Sequence, residues 1–353
     1  MRRRLRAGVI GAGSWSARAH IPALRTDPDV ELVVLSRPEE ELGQAMAQRH
    51  GFARFEPDWR DALEQDLDVV VVSSPPVAHP AQVCASLEAG AHVLCEKPFA
   101  LCLEDAEVMI ETAARMDRAL LAGFGWNRHP AFTELRRSIA HDIQHPEFTV
   151  ARLEVGIREL YTGELPEFMR AGDASPDLAT YTDAAVSGGG ALWGSGCHLL
   201  AMMLWICGRD VRGVHGQAYH AEKSALDLHH SVTVDYVDGS SVTLVMISVP
   251  AAQGRVTWEW RSYGAAGSVW LGGVSVPVIF TDREGRRSER RLDVEDGVEA
   301  LEPTRSLLRV ARGGATYPEL SGGLATDVVA LTDAIQRSWR EGGAVVPAMP
   351  ERA

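Results

Sequence analysis

The sequence contains only two lysines, Lys97 and Lys223, among 35 basic side chains. The first stands in Cys95-Glu96-Lys97-Pro98-Phe99, directly after the apolar run Ala91-His92-Val93-Leu94. A chain that otherwise takes its cations from arginine keeps an amine where a compact charge with an adjustable pKa is wanted. The apolar run reads as a buried strand, and in an open α/β sheet ligands bind beyond the carboxyl ends of the strands. Pro98 fixes its own φ and steers Lys97 out of the helical region, so the ammonium is aimed by the backbone. The plainer alternative is a solvated lysine at a strand end.

Two further stretches carry chemistry. Gly11-Ala12-Gly13-Ser14-Trp15-Ser16 follows an apolar run and precedes a helical one, the order a dinucleotide site requires. Gly11 permits the tight turn, Gly13 lets backbone approach a pyrophosphate, and the small Ser16 allows close helix–strand packing. Phosphates would lie on the amides at the helix start, those of Ser14 and Trp15 among them. The second strand ends at Ser36-Arg37, where an NAD-binding protein carries an acid for the ribose 2′-hydroxyl. A guanidinium beside a hydroxyl suits a 2′-phosphate instead, so NADP(H) is expected over NAD(H). The alternative for Arg37 is a surface arginine opening the next helix.

These residues need elements to position them. Strands are expected over 5–10, 30–35, 68–73, 91–94 and 119–123, alternating with helices over 17–24, 38–49, 80–89 and 103–115. That alternation is the pattern of a doubly wound parallel sheet. Beyond about residue 148 the spacing changes to strands over 149–157, 231–236, 242–249, 256–261 and 276–280, a largely antiparallel sheet. Two helices, over 191–206 and 324–340, interrupt it, and 161–186 is the longest irregular stretch, of the kind that forms functional lids.

The net charge of −13 and pI near 5.4 argue against nucleic acid or an anionic membrane as partner. No stretch is expected to approach the apolar length of a membrane-spanning helix. The five cysteines show no CxxC pair and no secreted-type framework, pointing to reduced thiols and a cytoplasmic protein. No metal site is expected. His141 and His145 lack an acid partner, and His229 and His230 point to opposite faces of a strand.

The sequence resembles the Gfo/Idh/MocA oxidoreductase family, the group of glucose–fructose oxidoreductase and inositol dehydrogenase. The resemblance is carried by Gly11-Ala12-Gly13 with His20-Ile21-Pro22-Ala23 and by Ser74-Pro75-Pro76 with His79. Ala89 to Pro98, Gly188-Gly189-Gly190-Ala191-Leu192-Trp193, Gly196-Cys197-His198 and Ala265-Ala266-Gly267-Ser268 extend it. It implies a Rossmann domain over 1–128 and a C-terminal α/β domain over 129–353 with a large open, mainly antiparallel sheet. It also implies a nicotinamide cofactor, a sugar-like or polyol substrate, and dimers or tetramers built through that sheet. Cofactor contacts are then expected from Ser74, Pro75, His79 and Glu96, besides the glycine turn, Ser36, Arg37 and Lys97.

With the resemblance, His198 becomes the expected acid/base, its ordinary pKa near neutrality serving either direction. Lys97 would hold the substrate oxygen and stabilise an alkoxide. Trp126, Arg128, Tyr161 and Trp193 are expected to face the substrate, with Tyr181 a further cleft aromatic. Two departures stand out: the family's usual acid four residues before the histidine is Gly194 here, and a second, three residues after it, is Ala201. Asp173, Asp177 or Asp183 from the irregular stretch could replace the first. Arginine-, alanine- and valine-heavy usage together with NADP suggests a biosynthetic keto-sugar reductase. An imine or other non-sugar carbonyl substrate, or a non-catalytic NADP-binding regulator, are the alternatives.

Overall fold

The computed structural model describes residues 3–170, 177–208, 210–221, 226–254, 256–294 and 297–350, so Lys223 and Asp173 lie outside the described residues. The first sheet holds β1 (Leu5–Ile10), β2 (Val30–Ser36), β3 (Arg54–Glu56), β4 (Val69–Val72), β5 (His92–Cys95) and β6 (Leu120–Ala122). They lie parallel in the order β3-β2-β1-β4-β5-β6. All four valines of β4 are buried, as befits a strand covered on both faces. The order reverses between β1 and β4, and that switch point opens the crevice where a doubly wound fold binds its ligand. The helix expected over 17–24 is two short ones, Ser14–Arg18 and His20–Arg25, broken at Ala19.

The second sheet holds β7 (Phe148–Gly156), β8 (Val211–His220), β9 (Asp227–Tyr236), β10 (Ser241–Val249), β11 (Val256–Gly264), β12 (Gly267–Leu271), β13 (Val278–Asp282) and β14 (Arg287–Arg290). Its order is β14-β13-β12-β11-β7-β10-β9-β8. Every pairing is antiparallel except β7 with β10, which is parallel and makes the sheet mixed. Strict alternation of burial along β10 shows one face packed and the other facing out. The strand expected over 276–280 lies two residues later, and β3, β8, β12 and β14 were not anticipated. β8 carries Gly213 and Gly216 among exposed polar residues, which blurs the alternation a strand is read from.

Two helices from the last third of the chain close the molecule. Val298–Ala311, absent from the expectations because Pro303 lies inside it, packs on His20–Arg25, on β5 and on the turn Gly125–Arg128. Gly322–Glu341 packs against Leu103–Met116, against β8 and against Cys197–Cys207. The helix expected over 191–206 is present, but its first turn, Leu192–Gly196, is π-wound before Cys197–Cys207 continues as α-helix. The run Ala184–Cys207 does have the length and hydropathy to cross a membrane, contrary to expectation. It is 72% buried within the protein and broken by Gly188-Gly189-Gly190.

Candidate active site

The glycine turn after β1 is shaped for a close-lying ligand. Gly11 has φ +72°, and a Cβ there would lie 2.3 Å from the Ser74 amide, so only glycine fits. A Cβ at Gly13 would meet nothing nearer than the Gly11 carbonyl at 3.9 Å, leaving open space in front of the turn. The end of β2 is latched to the same turn, with the Ser36 carbonyl accepting from the amides of Gly11 (2.9 Å) and Ala12 (3.2 Å). Ser16, buried as expected of the third small position, donates to the Ser73 hydroxyl at 2.8 Å. These features fit a dinucleotide at the switch point.

Arg37 is held rather than free. Its guanidinium donates to the Ala12 carbonyl at 3.1 Å and to the Glu39 carboxylate at 2.9 Å. The guanidinium thus stands at the strand end with an acid two residues on. Both ring nitrogens of His79 are engaged by the backbone. The side chain is fully buried, and its ring nitrogens each lie 2.9 Å from a carbonyl, of Ser74 and of Pro98. It is a strut between the loops after β4 and β5. Ser74 turns its hydroxyl to Gln82.

Glu96 organises the β5 end. Its carboxylate accepts from the Trp15 indole at 3.1 Å and from the Lys97 amide at 3.0 Å, and lies 3.1 Å from His20 Nε2. Burial would raise this carboxyl, but the contacts to His20 and the adjacent Lys97 hold it at about 2. His20 Nδ1 lies 2.8 Å from the Thr304 hydroxyl on helix Val298–Ala311. His20 and Thr304 were not among the expected site residues; His20 was visible only as part of a motif, and Thr304 lies nearly 300 residues away.

The Lys97–Pro98 peptide is cis, and Lys97 Nζ donates to the Gly194 carbonyl at 3.1 Å. That carbonyl belongs to the π-turn, a winding that recurs at functional sites because it disturbs the regular backbone ladder. His198 follows one turn later, edge-on to Phe124 with ring centroids 6.0 Å apart, and its Nδ1 is buried with no partner. Burial, then the Lys97 charge, push His198 down to about 3. The ring is therefore neutral across the physiological range, and the expectation that it titrates near neutrality is not met.

Gly194 has a specific neighbour. A Cβ there would lie 2.1 Å from the Tyr161 hydroxyl and 3.2 Å from its Cζ. Tyr161, 3% exposed, fills the volume a side chain at 194 would need and bonds to Ser195. The phenol of Tyr181, from the short helix Ala179–Thr182, feels the charges of Lys97, Arg18 and Glu96. Asp177 and Asp183 do not supply a carboxylate here; they cap their own turns through the amides of Ala179 and Ala185. Trp193 is buried against Gly188 and Gly189.

Two expected substrate residues are engaged elsewhere. Arg128 is bound by Glu319 at 2.6 Å and Glu302 at 3.7 Å and stacks on Tyr317, an ion-pair cluster between the Gly125–Arg128 turn and the C-terminal segments. Trp126 packs into an aromatic cluster with His129, Phe132 and Trp258. A strand-end position alone made both look cleft-facing, and their sequence neighbourhood gives no sign of these distant partners.

Comparison with known proteins agrees with this fold. Residues 5–124 match the family model described as oxidoreductase family, NAD-binding Rossmann fold, and residues 166–270 match the GFO/IDH/MocA C-terminal domain. D-glucoside 3-dehydrogenase of Escherichia coli is 29% identical over 208 residues, 58% of this chain but only about half (54%) of that protein. The dTDP-3,4-didehydro-2,6-dideoxy-alpha-D-glucose 3-reductase of Streptomyces violaceoruber is 26% identical over 84% of this chain and 80% of its own. A solved levoglucosan dehydrogenase, in complex with NADH and levoglucosan, superposes with TM-score 0.82 at 19% identity, covering 98% of this chain and 100% of that one. At that identity the likeness is one of fold.

Proposed function

The chain belongs to the Gfo/Idh/MocA oxidoreductase family, and from that premise we propose that it reduces a keto group of a sugar-like substrate with NADPH. The observation that carries this is the convergence at the switch point: the Lys97 ammonium on the Gly194 carbonyl, the neutral His198 one turn on, and the glycine turn across the crevice. A nicotinamide cofactor supplies the hydride when bound. The chain's own residues handle the oxygen. Lys97 donates a hydrogen bond to the carbonyl oxygen and stabilises the negative charge that develops there. Because the folded site holds His198 neutral, the proton duty falls to Lys97, while the unpartnered Nδ1 of His198 orients the substrate hydroxyl. Tyr161 and Tyr181 bound the substrate side, with Trp193 behind them.

The preference for NADP(H) is supported by Arg37 at the end of β2. Glu39 opposes it by occupying part of the guanidinium. A reducing cytoplasmic setting suits the five free cysteines, and association into dimers or tetramers through the outer face of the second sheet belongs to the same proposal. One observation favours a second substrate class, an imine or non-sugar carbonyl: the phenol of Tyr161 fills the place from which a carboxylate would address a sugar diol. The test is a panel of keto-sugars and cyclic imines with NADPH or NADH, followed by nicotinamide absorbance, with Lys97→Ala alongside. Turnover of a keto-sugar that Lys97→Ala abolishes is expected. Turnover of imines alone selects the second class, and nucleotide binding without turnover overturns both in favour of a regulator.

A further inference from the structure

The helical run that carries Gly194 and His198 begins just after Gly190, and its first amides have no partner within the run itself. They find one on β9. The buried carboxylate of Asp227, 3% exposed, accepts from the amides of Gly190 at 3.1 Å and Leu192 at 2.8 Å. Approach is so close that a Cβ on Gly190 would lie 2.2 Å from the Asp227 carbonyl. The same carboxylate is bonded to Nε2 of His230. The His230 ring is stacked on Trp339 of the terminal helix, with centroids 5.6 Å apart and planes 11° from parallel.

Strand periodicity alone would put Asp227 and His230 on opposite faces. A register shift where β8 meets the start of β9, between Tyr219 and His220, inserts one residue and brings them together. The other titratable groups that feel the pair are His220 from β8 and His229 from β9, which oppose a charge on His230, and Tyr161, whose phenol feels the Asp227 carboxylate.

We propose that Asp227, backed by His230 and Trp339, is a positioning residue for the active site: it anchors the start of the π-turn and so sets the Gly194 carbonyl and the His198 ring against Lys97. This rests on the catalytic reading of Lys97 and His198 given above. An anchor from a strand 35 to 37 positions later in the chain ties the catalytic helix to the sheet rather than to its own loop.

The test is Asp227→Asn in the full chain, which turns one acceptor into a donor facing backbone amides. Amide hydrogen exchange over 190–198 should rise at least about tenfold, with exchange in β1–β6 unchanged. The turnover number should fall by up to about a hundredfold, while KM for the nucleotide stays within about twofold. That split, a lower turnover number at unchanged KM for the nucleotide, is the readout a merely structural role would not give. His230→Phe, which keeps the stacking and removes the bond, should give smaller changes in the same direction and stands in if Asp227→Asn fails to fold. Unchanged exchange and turnover in a folded Asp227→Asn, or in His230→Phe where that stands in, overturn the proposal alone. A wild type that turns over no substrate with either nucleotide overturns the catalytic reading, and the role of Asp227 with it.

Discussion

Gly194→Ala is the sharpest perturbation of this site, because a single methyl group meets a single atom. The added Cβ would sit 2.1 Å from the Tyr161 hydroxyl, more than 1 Å inside contact distance, and Tyr161 is packed in a buried cluster with Ala191, Leu226, Leu228 and Met246. Overpacking of this kind costs about 1–3 kcal/mol. A displacement of the Gly194 carbonyl by about 1 Å would lower kcat/KM by up to about a hundredfold. Tyr161→Phe removes the offending atom at the cost of the bond to Ser195, about 0.5–1.5 kcal/mol. In the double variant the nearest remaining atom is the ring carbon at 3.2 Å, which needs only a few tenths of an ångström of adjustment. The double variant should therefore be better than the sum of the single ones by about 1–2 kcal/mol, both in thermal stability and in kcat/KM. Thermal melting and nicotinamide absorbance, run on all four proteins, measure the cycle. Additive losses, or a Gly194→Ala protein indistinguishable from wild type, would refute the claim that Tyr161 occupies the place of a side chain at 194.

Arg37→Ala should weaken NADPH binding by about 10- to 100-fold, the value of a charge-assisted bond, and leave NADH within about threefold; fluorescence titration decides, and equal losses for both nucleotides would remove Arg37 from the 2′-phosphate site. The His198 ring, at about 3 folded against 6.5 free, binds its proton more readily when unfolded. It therefore opposes folding progressively as pH falls below 6.5, by about 2 kcal/mol at pH 5. His198→Gln should flatten the decline of Tm between pH 7 and pH 5, and parallel curves would show that the folded ring titrates normally. Thr304→Val leaves the buried His20 Nδ1 without its partner and should cost about 1–3 kcal/mol in thermal unfolding without altering KM for the nucleotide; no loss of stability would mean that the contact is idle.

The first sheet, its short edge strand β3 apart, was legible because its signals are local. An apolar run feeds Gly11, four consecutive valines make β4, and Lys97 stands out against a background of arginine. The second sheet was legible only where alternation survives, as along β10. It failed at β8, where glycines and exposed polar residues interrupt the pattern, and at β14, whose four residues Arg287–Arg290 carry no apolar face at all. The parallel pairing of β10 with β7 joins segments about 90 residues apart and has no local signature. The same limit governed the site. Lys97 and His198 could be named from motifs, whereas the fit of Tyr161 to Gly194, the strut formed by His79 and the anchoring by Asp227 are matches between distant residues. Arg128 and Trp126 were misplaced for the same reason, since their partners Glu319 and Trp258 lie far along the chain.

The bond between His20 and Thr304 has a consequence for how this chain can be made. The cofactor-side sheet is finished at β6, yet its buried histidine, its helix His20–Arg25 and the flank of Leu103–Met116 take part of their cover from helices in the last third of the sequence. During synthesis that surface must wait, apolar and partly unsatisfied, until about 180 further residues have followed. An N-terminal fragment ending after β6 should accordingly be poorly soluble on its own. The same fragment co-expressed with the remainder should recover, because the missing cover can be supplied in trans. The two sheets are separate as layers, but part of the first one's cover is supplied from the far end of the chain.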